Sequence, residues 1–408
     1  MTSADSSDRD PSFRFEYDPA TIRFGAGCTD DLATELEARG LERALVVCGS
    51  TVGSTPEVID PVRTGLGDRL AGVFDETTPK KRLATAVDGL ERLRIEDADV
   101  LVSLGGGSSL DVAKVISVLA ASDRPATDAA AEFAEMGTIT VPEDGLVPIV
   151  AVPTTLAGAD LSMVAGVTAA PESGLVDEEI GGGISDLGLM PAAAFYDPEL
   201  VATTPDSILA GSAMNGFDKG IETLYASNAT PVTDATARHG LEKLEDGLGA
   251  FGDGDRDIET FETILEGIVL VQYGISRPGE TTASIIHAFG HGLTRTYDVQ
   301  QGAAHGVVIP HVLEYCFGQE GVDARSGMLA NALGVDEAVD HEAAVIEAVT
   351  EIRDGLGLPS RLRDVDGPEP EEFTAVAEAI LEDPFMANAP PGLDPSVDEI
   401  EGVLEAAW

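Results

Sequence analysis

At 408 residues the chain exceeds the roughly 250–300 at which a single core stops growing, so two domains are expected. Lys and Arg number 24 against 73 Asp and Glu, a formal charge of −49 that no basic stripe could overcome, which excludes nucleic acid as a partner. A hydrophobic content of 43% excludes an acidic disordered chain, which lacks the apolar residues for a core.

The acids are spread along the whole chain, which points to the cytoplasm of a salt-accumulating cell. Molar salt shortens the Debye length to about 3 Å and screens the self-repulsion that ordinary salt leaves in place. Cys28, Cys48 and Cys316 fit no metal or disulfide spacing, in keeping with a reducing interior. Residues 1–12 read as a disordered leader, polar and without the apolar stretch of a signal peptide. No apolar run reaches membrane-spanning length, so a soluble protein with no membrane partner is expected.

From Phe13 onward, short β-branched runs alternate with helical patterns. Strands are expected over 44–48, 99–104 and 147–152, and helices near 30–40, 82–96 and 109–122. Near-continuous apolar strands between helices argue for a parallel sheet covered on both faces. After Phe195 the strand signals thin out. Helical patterns follow over 206–227, 231–250, 257–275, 279–296, 340–356 and 370–382. The expectation is an α/β dinucleotide-binding domain over 13–195 and an all-α C-terminal domain over 196–408. Residues 172–190, rich in Gly and acids, form a loop or hairpin.

The clearest local signal is GGGSSLDVAK at 105–114, directly after an expected strand and opening an expected helix. Glycines let a ligand approach the backbone, and a helix N-terminus presents unpaired N–H groups to an anion, so Gly105, Gly106, Gly107 and Ser108 are candidates for holding a pyrophosphate. The turn is neither a Walker loop nor GxGxxG. A tight structural turn is the alternative. A second turn, PTTLAGADLS from Pro153, places Thr154 and Thr155 at a strand's C-terminal end, where ligands of open parallel sheets gather; an ordinary Thr-capped loop reads equally well. Three of the six histidines, His287, His291 and His305, fall close together. His287 and His291 share one helix face, a spacing that suits metal ligation or acid–base work. His239 and His341 carry no assigned role, and His311, after Pro310, reads as structural.

These residues resemble the iron-containing (group III) alcohol dehydrogenases from Phe13 to the C-terminus. GGGSSLDVAK resembles that family's GGGSxxDxAK, FGAG at 24–27 its first-strand turn, and YDPE at 196–199 the stretch before its helical domain. Within the family, PTTLAGAD at 153–160 and ETLYA at 222–226 resemble the maleylacetate reductases. The resemblance implies an NAD- or NADP-dependent oxidoreductase with its cleft between a dinucleotide domain and a helical domain. It further implies a small alcohol, carbonyl or activated alkene as substrate, and a homodimer or larger homo-oligomer. Gly105 to Ser108 would hold the pyrophosphate, with Asp111, Thr154 and Thr155 along the cofactor. Where NAD-preferring members tend to carry Asp, this chain has Gly49, which leaves room for a 2′-phosphate.

The departures from the family bear on the metal. Its ligand positions read here Asn215, Lys219, His287 and Gln301, so three of four ligands are changed. Neutral amides are weak donors and an ammonium cannot ligate a dication, so a degenerate, metal-free site is expected. In it Lys219 would supply the positive charge for a developing alkoxide, with His287 or His291 relaying the proton. A Lys219 turned to solvent is the bland alternative; a shifted metal set of Asp218, Glu222, His287 and His291 is another. The family's basic stretch before YDP is GLVDEEIGGG here, without a base, which counts against a dianionic substrate. A lyase or cyclase of dehydroquinate-synthase type and a non-catalytic nucleotide-binding relative complete the alternatives.

Overall fold

The computed structural model describes residues 12–408 apart from Asp123 and Asp298. Of the expected leader, residues 1–11 lie outside the described residues. Eight strands are present: β1 (Thr21–Phe24), β2 (Ala44–Gly49), β3 (Leu70–Thr77), β4 (Val100–Gly105), β5 (Ile149–Pro153), β6 (Val164–Ala169), β7 (Ile180–Ser185) and β8 (Ala193–Tyr196). Six form one sheet in the order β1-β8-β5-β4-β2-β3, every pairing parallel. β6 and β7 form a separate antiparallel hairpin, so most of the glycine-rich stretch at 172–190 serves as the turn and second strand of that hairpin.

The three central strands are those whose apolar runs stand out in the sequence, because both their faces are covered. Along β2, Ala44, Val46 and Cys48 pack into a smaller core while Leu45 and Val47 enter the main one; β4 and β5 alternate in the same way. β1, β3 and β8 escape the sequence reading. β1 and β8 are four residues each, and β3 is half-exposed at the sheet's edge.

The sheet ends at Tyr196, and beyond it the described chain is helical. Five helices fall on expected patterns, among them Asp206–Tyr225, Pro231–Gly252 and Ile258–Gln272. The pattern near 279–296 is corrected. Its helix is only Ile285–Thr294, and the preceding residues form a loop closed by hydrogen bonds between Arg277 and Glu280. The helix Gln301–Gly318, unforeseen, carries Pro310 in its interior. It crosses Asp206–Tyr225 at glycines, since a Cβ on Gly302 would lie 1.7 Å from the carbonyl oxygen of Gly211. That close crossing brings the side chains of both helices, and of Ile285–Thr294 beside them, to the base of the glycine turn.

Candidate active site

β4 ends at Gly105, whose φ of +129° is open to glycine alone, and the chain turns there into the helix Gly107–Ala121. Its N-cap, Gly106, has no side chain to spend on the first-turn amides, and Gly106, Gly107 and Ser108 stay partly exposed. The neighbouring loop closes over them. A Cβ on Gly106 would lie 3.2 Å from Thr155 Cγ2, and one on Gly107 3.2 Å from Ala159 Cβ. Free amides at a helix N-terminus at the C-terminal edge of a parallel sheet form a ready anion site.

The other residues expected along a cofactor gather round this turn. Thr154 donates its N–H to Gly105 O (3.1 Å), and its own carbonyl accepts from the Thr204 hydroxyl (2.7 Å). Gly49 precedes the short helix Ser50–Ser54 at the end of β2. Asp111 is buried with its carboxylate 2.5 Å from Lys81 Nζ, so in this state it serves an ion pair rather than an open face.

Below the turn lies a buried charge network that joins Lys219, an expected catalytic residue, to Lys114 and Asp160, for which the sequence suggests no role. Lys114 donates to the carbonyls of Ser162 (2.6 Å) and Val164 (2.9 Å). Burial pulls its pKa down to about 8, against the pull of Asp111 and Asp160. Burial pushes Asp160 up to about 6, opposed by Lys114 and Lys219. Lys219 reaches across from the helix Asp206–Tyr225 and donates to the carbonyls of Ala157 (2.8 Å) and Gly158 (3.4 Å). It therefore does not point to solvent. Burial lowers its pKa, with Asp218 and Asp160 the chief carboxylates opposing the shift.

One turn further along that helix, Glu222 accepts from the backbone N–H of His287 (3.0 Å) and lies 2.5 Å from its ring Nδ1. The carboxylate caps the helix Ile285–Thr294, whose own N-cap, Ser284, makes no side-chain cap bond. Burial pushes Glu222 up to about 7 and holds His287 well below the usual histidine range. A neutral His287 that donates from Nδ1 keeps Nε2 as a basic lone pair.

The four family ligand positions do not meet as donors. Lys219 is held by carbonyls and Gln301 opens its helix, so only His287 joins a cluster. The shifted set is corrected as well: Glu222 is engaged by His287, while His291 bonds through Nδ1 to Asp383 (2.8 Å), which also pairs with Arg295. The residue that does join is His305. Asp218, His287 and His305, all buried, bring their ligand atoms within 4.8 Å of one another. Asp218 and His305 touch directly, and the rings of His287 and His305 meet edge to face at 4.9 Å. His305 fits there because it packs on Gly290, where a Cβ would lie 2.0 Å from its Nε2. Its clustering with His287 in a histidine-poor chain was the only sequence signal for it; Asp218 gave none beyond its place in the shifted set.

The iron-containing alcohol dehydrogenase family model matches residues 19–198, and the model of the Fe-containing family's C-terminal part matches residues 209–408. Lactaldehyde reductase of Escherichia coli strain K12 is 27% identical over 406 residues, covering 95% of this chain and 98% of that protein. Maleylacetate reductase of Pseudomonas aeruginosa is 28% identical over 377 residues, covering 92% of each. Sulfoacetaldehyde reductase of Bifidobacterium kashiwanohense, crystallised with NAD+, shares the fold at a TM-score of 0.83 and 22% identity, over 97% of this chain and 99% of that one. The chain is an oxidoreductase that belongs to the iron-containing alcohol dehydrogenase family, on the side of the maleylacetate reductases.

Proposed function

We propose that this protein transfers hydride between a nicotinamide dinucleotide and a small alcohol, carbonyl or activated alkene. The observation that carries the reading is the open glycine turn at 105–108, with a charged, buried cluster directly beside it on the helical domain. The pyrophosphate rests on the first-turn amides of Gly107–Ala121. Thr154 and Thr155 line the bridge, and Gly49 leaves space at the ribose for either cofactor. NAD+ in the structurally similar sulfoacetaldehyde reductase supports the cofactor class.

Iron does not fit the positions that the resemblance implies. Asn215 and Gln301 are weak neutral donors, and the Lys219 ammonium is held against two carbonyls. Lys219 has three N–H donors and spends two on Ala157 and Gly158, which leaves the third for a substrate oxygen. Its charge stabilises the alkoxide as hydride leaves or arrives. His287, held in one orientation by Glu222, carries the proton on Nε2. His291 is engaged by Asp383 and is not part of this relay.

A second reading rests on the cluster of Asp218, His287 and His305, whose spacing suits a divalent ion. A metal there would separate Asp218 from His305 and take the lone pair of His287. One experiment tests both readings: binding of NADH and NADPH followed by fluorescence, with turnover assayed on a panel of aldehydes, ketones and enones before and after dialysis against EDTA. Saturable cofactor binding and EDTA-resistant turnover are expected. Turnover lost to EDTA and restored by Fe²⁺ or Zn²⁺ hands the site to the metal; cofactor bound without turnover on any substrate makes the chain a non-catalytic relative. The charge of −49 supports a high-salt cytosol as its setting.

A further inference from the structure

On the outer side of the helix Gln301–Gly318, a cavity of about 590 Å³ is lined by Arg353, Arg361, Arg363, His311, Glu314 and Trp408, among others. Three of its eleven lining residues are arginines, in a chain with 24 Lys and Arg among 408 residues. Elsewhere most of the scarce arginines are met by carboxylates, among them Arg325 by Asp234 (2.6 Å), Arg256 by Asp206 (2.9 Å) and Arg23 by Glu35 (3.0 Å). Around this cavity two of the three arginines, the exposed Arg361 and Arg363, are not. The side chains of Arg361 and Arg363 make no hydrogen bond or ion pair among the described residues, although acids outnumber bases threefold in the chain. Arg353 is buried, and its Nε and Nη2 bond only the exposed carboxylate of the next residue, Asp354 (2.8 and 2.6 Å), which leaves Nη1 unengaged.

Clustered like charges repel, and a concave wall of low dielectric strengthens the field they make. Three guanidinium groups, set against Glu314 in the lining and Asp354 paired with Arg353, leave a net charge of one positive at the cavity. Burial holds His311 below its usual range, so at neutral pH it adds no charge and offers a ring nitrogen for hydrogen bonding. Guanidinium forks match the oxygens of carboxylates and phosphates. The Trp408 ring, set against Phe373 at 5.8 Å, supplies an apolar wall.

We infer that this cavity is a binding site for a small anion with two or more negative charges, a phosphate ester or a polycarboxylate, separate from the candidate active site. It lies on the opposite side of the helix that carries His305. The two sites are neighbours through that helix, since a Cβ on Gly306 would lie 3.5 Å from Arg353 Cγ. The inference does not depend on the redox reading.

The test is calorimetric titration of the full chain with inorganic phosphate and with citrate at constant ionic strength. Saturable uptake of one anion per chain is expected, weakened about tenfold or more in Arg361→Ala/Arg363→Ala, as for loss of charge-assisted bonds. Arg94→Ala, an exposed base outside the cavity, leaves uptake unchanged and controls for net charge. Uptake of phosphate alone assigns the phosphate class and uptake of citrate alone the polycarboxylate class. If the alanine pair fails to fold, Arg361→Lys/Arg363→Lys keeps the charge but loses the fork, and binding should still fall several-fold. No saturable uptake of either anion, or equal uptake by the folded variant, overturns the assignment. So does a double variant whose sedimentation changes while the parent takes up no anion, because the arginines would then seat a second copy of the chain.

Discussion

Lys219 stands where the family resemblance implies a histidine ligand, and its surroundings show how a cation can persist there. An ammonium buried without partners would lose its proton. Here two carbonyl acceptors and the carboxylates of Asp218 and Asp160 oppose the desolvation. On the proposed function, replacement by alanine removes the charge next to the reacting oxygen. Lys219→Ala is therefore expected to lower kcat by about a hundredfold or more, the size of losing one oxyanion donor. NADH affinity should be nearly unchanged, because the side chain lies outside the glycine turn. An unaltered kcat would reduce Lys219 to an anchor of the 157–158 loop. The residue types were legible in the sequence at this scale, but their partners were not. Glu222 with His287 spans 65 positions of chain. Asp218 with His305 is likewise a contact between two helices that no local spacing encodes.

Among elements, the strand–turn–helix around Gly105 is the best-defined unit. β4 delivers Gly105 at φ +129°, and the Thr155 side chain packs over Gly106. Gly106→Val would push a branched side chain into Thr155 and over the first-turn amides. Loss of measurable NADH and NADPH binding is expected in a fluorescence titration, with the far-UV circular dichroism retained. Affinity equal to the parent's would remove the phosphate from this turn. The unit was legible because its signals are local: an apolar run, three glycines and a helix-forming stretch in order. The helix Gln301–Gly318 was hidden for the opposite reason. Pro310 lies in its interior, where proline ordinarily breaks a helix, and tertiary packing against Gly211 overrides that propensity.

For the whole molecule, the dominant quantity is the charge of −49. Few acids are neutralised internally, so the folded state carries a self-repulsion that salt must screen. The melting temperature should rise as KCl increases from 0.2 to 2 M, by roughly 1 °C for each kcal/mol of repulsion removed. A midpoint that is flat or falls with KCl would remove the reason for placing the chain in a salt-rich cytosol. The arginine-lined cavity is the local exception to this field, visible only once residues 311, 353, 361, 363 and 408 share one wall.

The sequence by itself determined the α/β character of the first half, the helical character of the second and the glycine turn. All of these follow from local periodicity or from backbone freedom at glycine, which neighbours along the chain carry. Only the tertiary structure decided the sheet order, the turning of Lys219 inward, the diversion of His291 to Asp383 and the entry of His305 into the cluster. Those outcomes depend on how closely helices approach at Gly211, Gly290 and Gly302, and on which buried carboxylate each cation meets. Such pairings are long-range, and their energies are settled by burial rather than by spacing in the sequence.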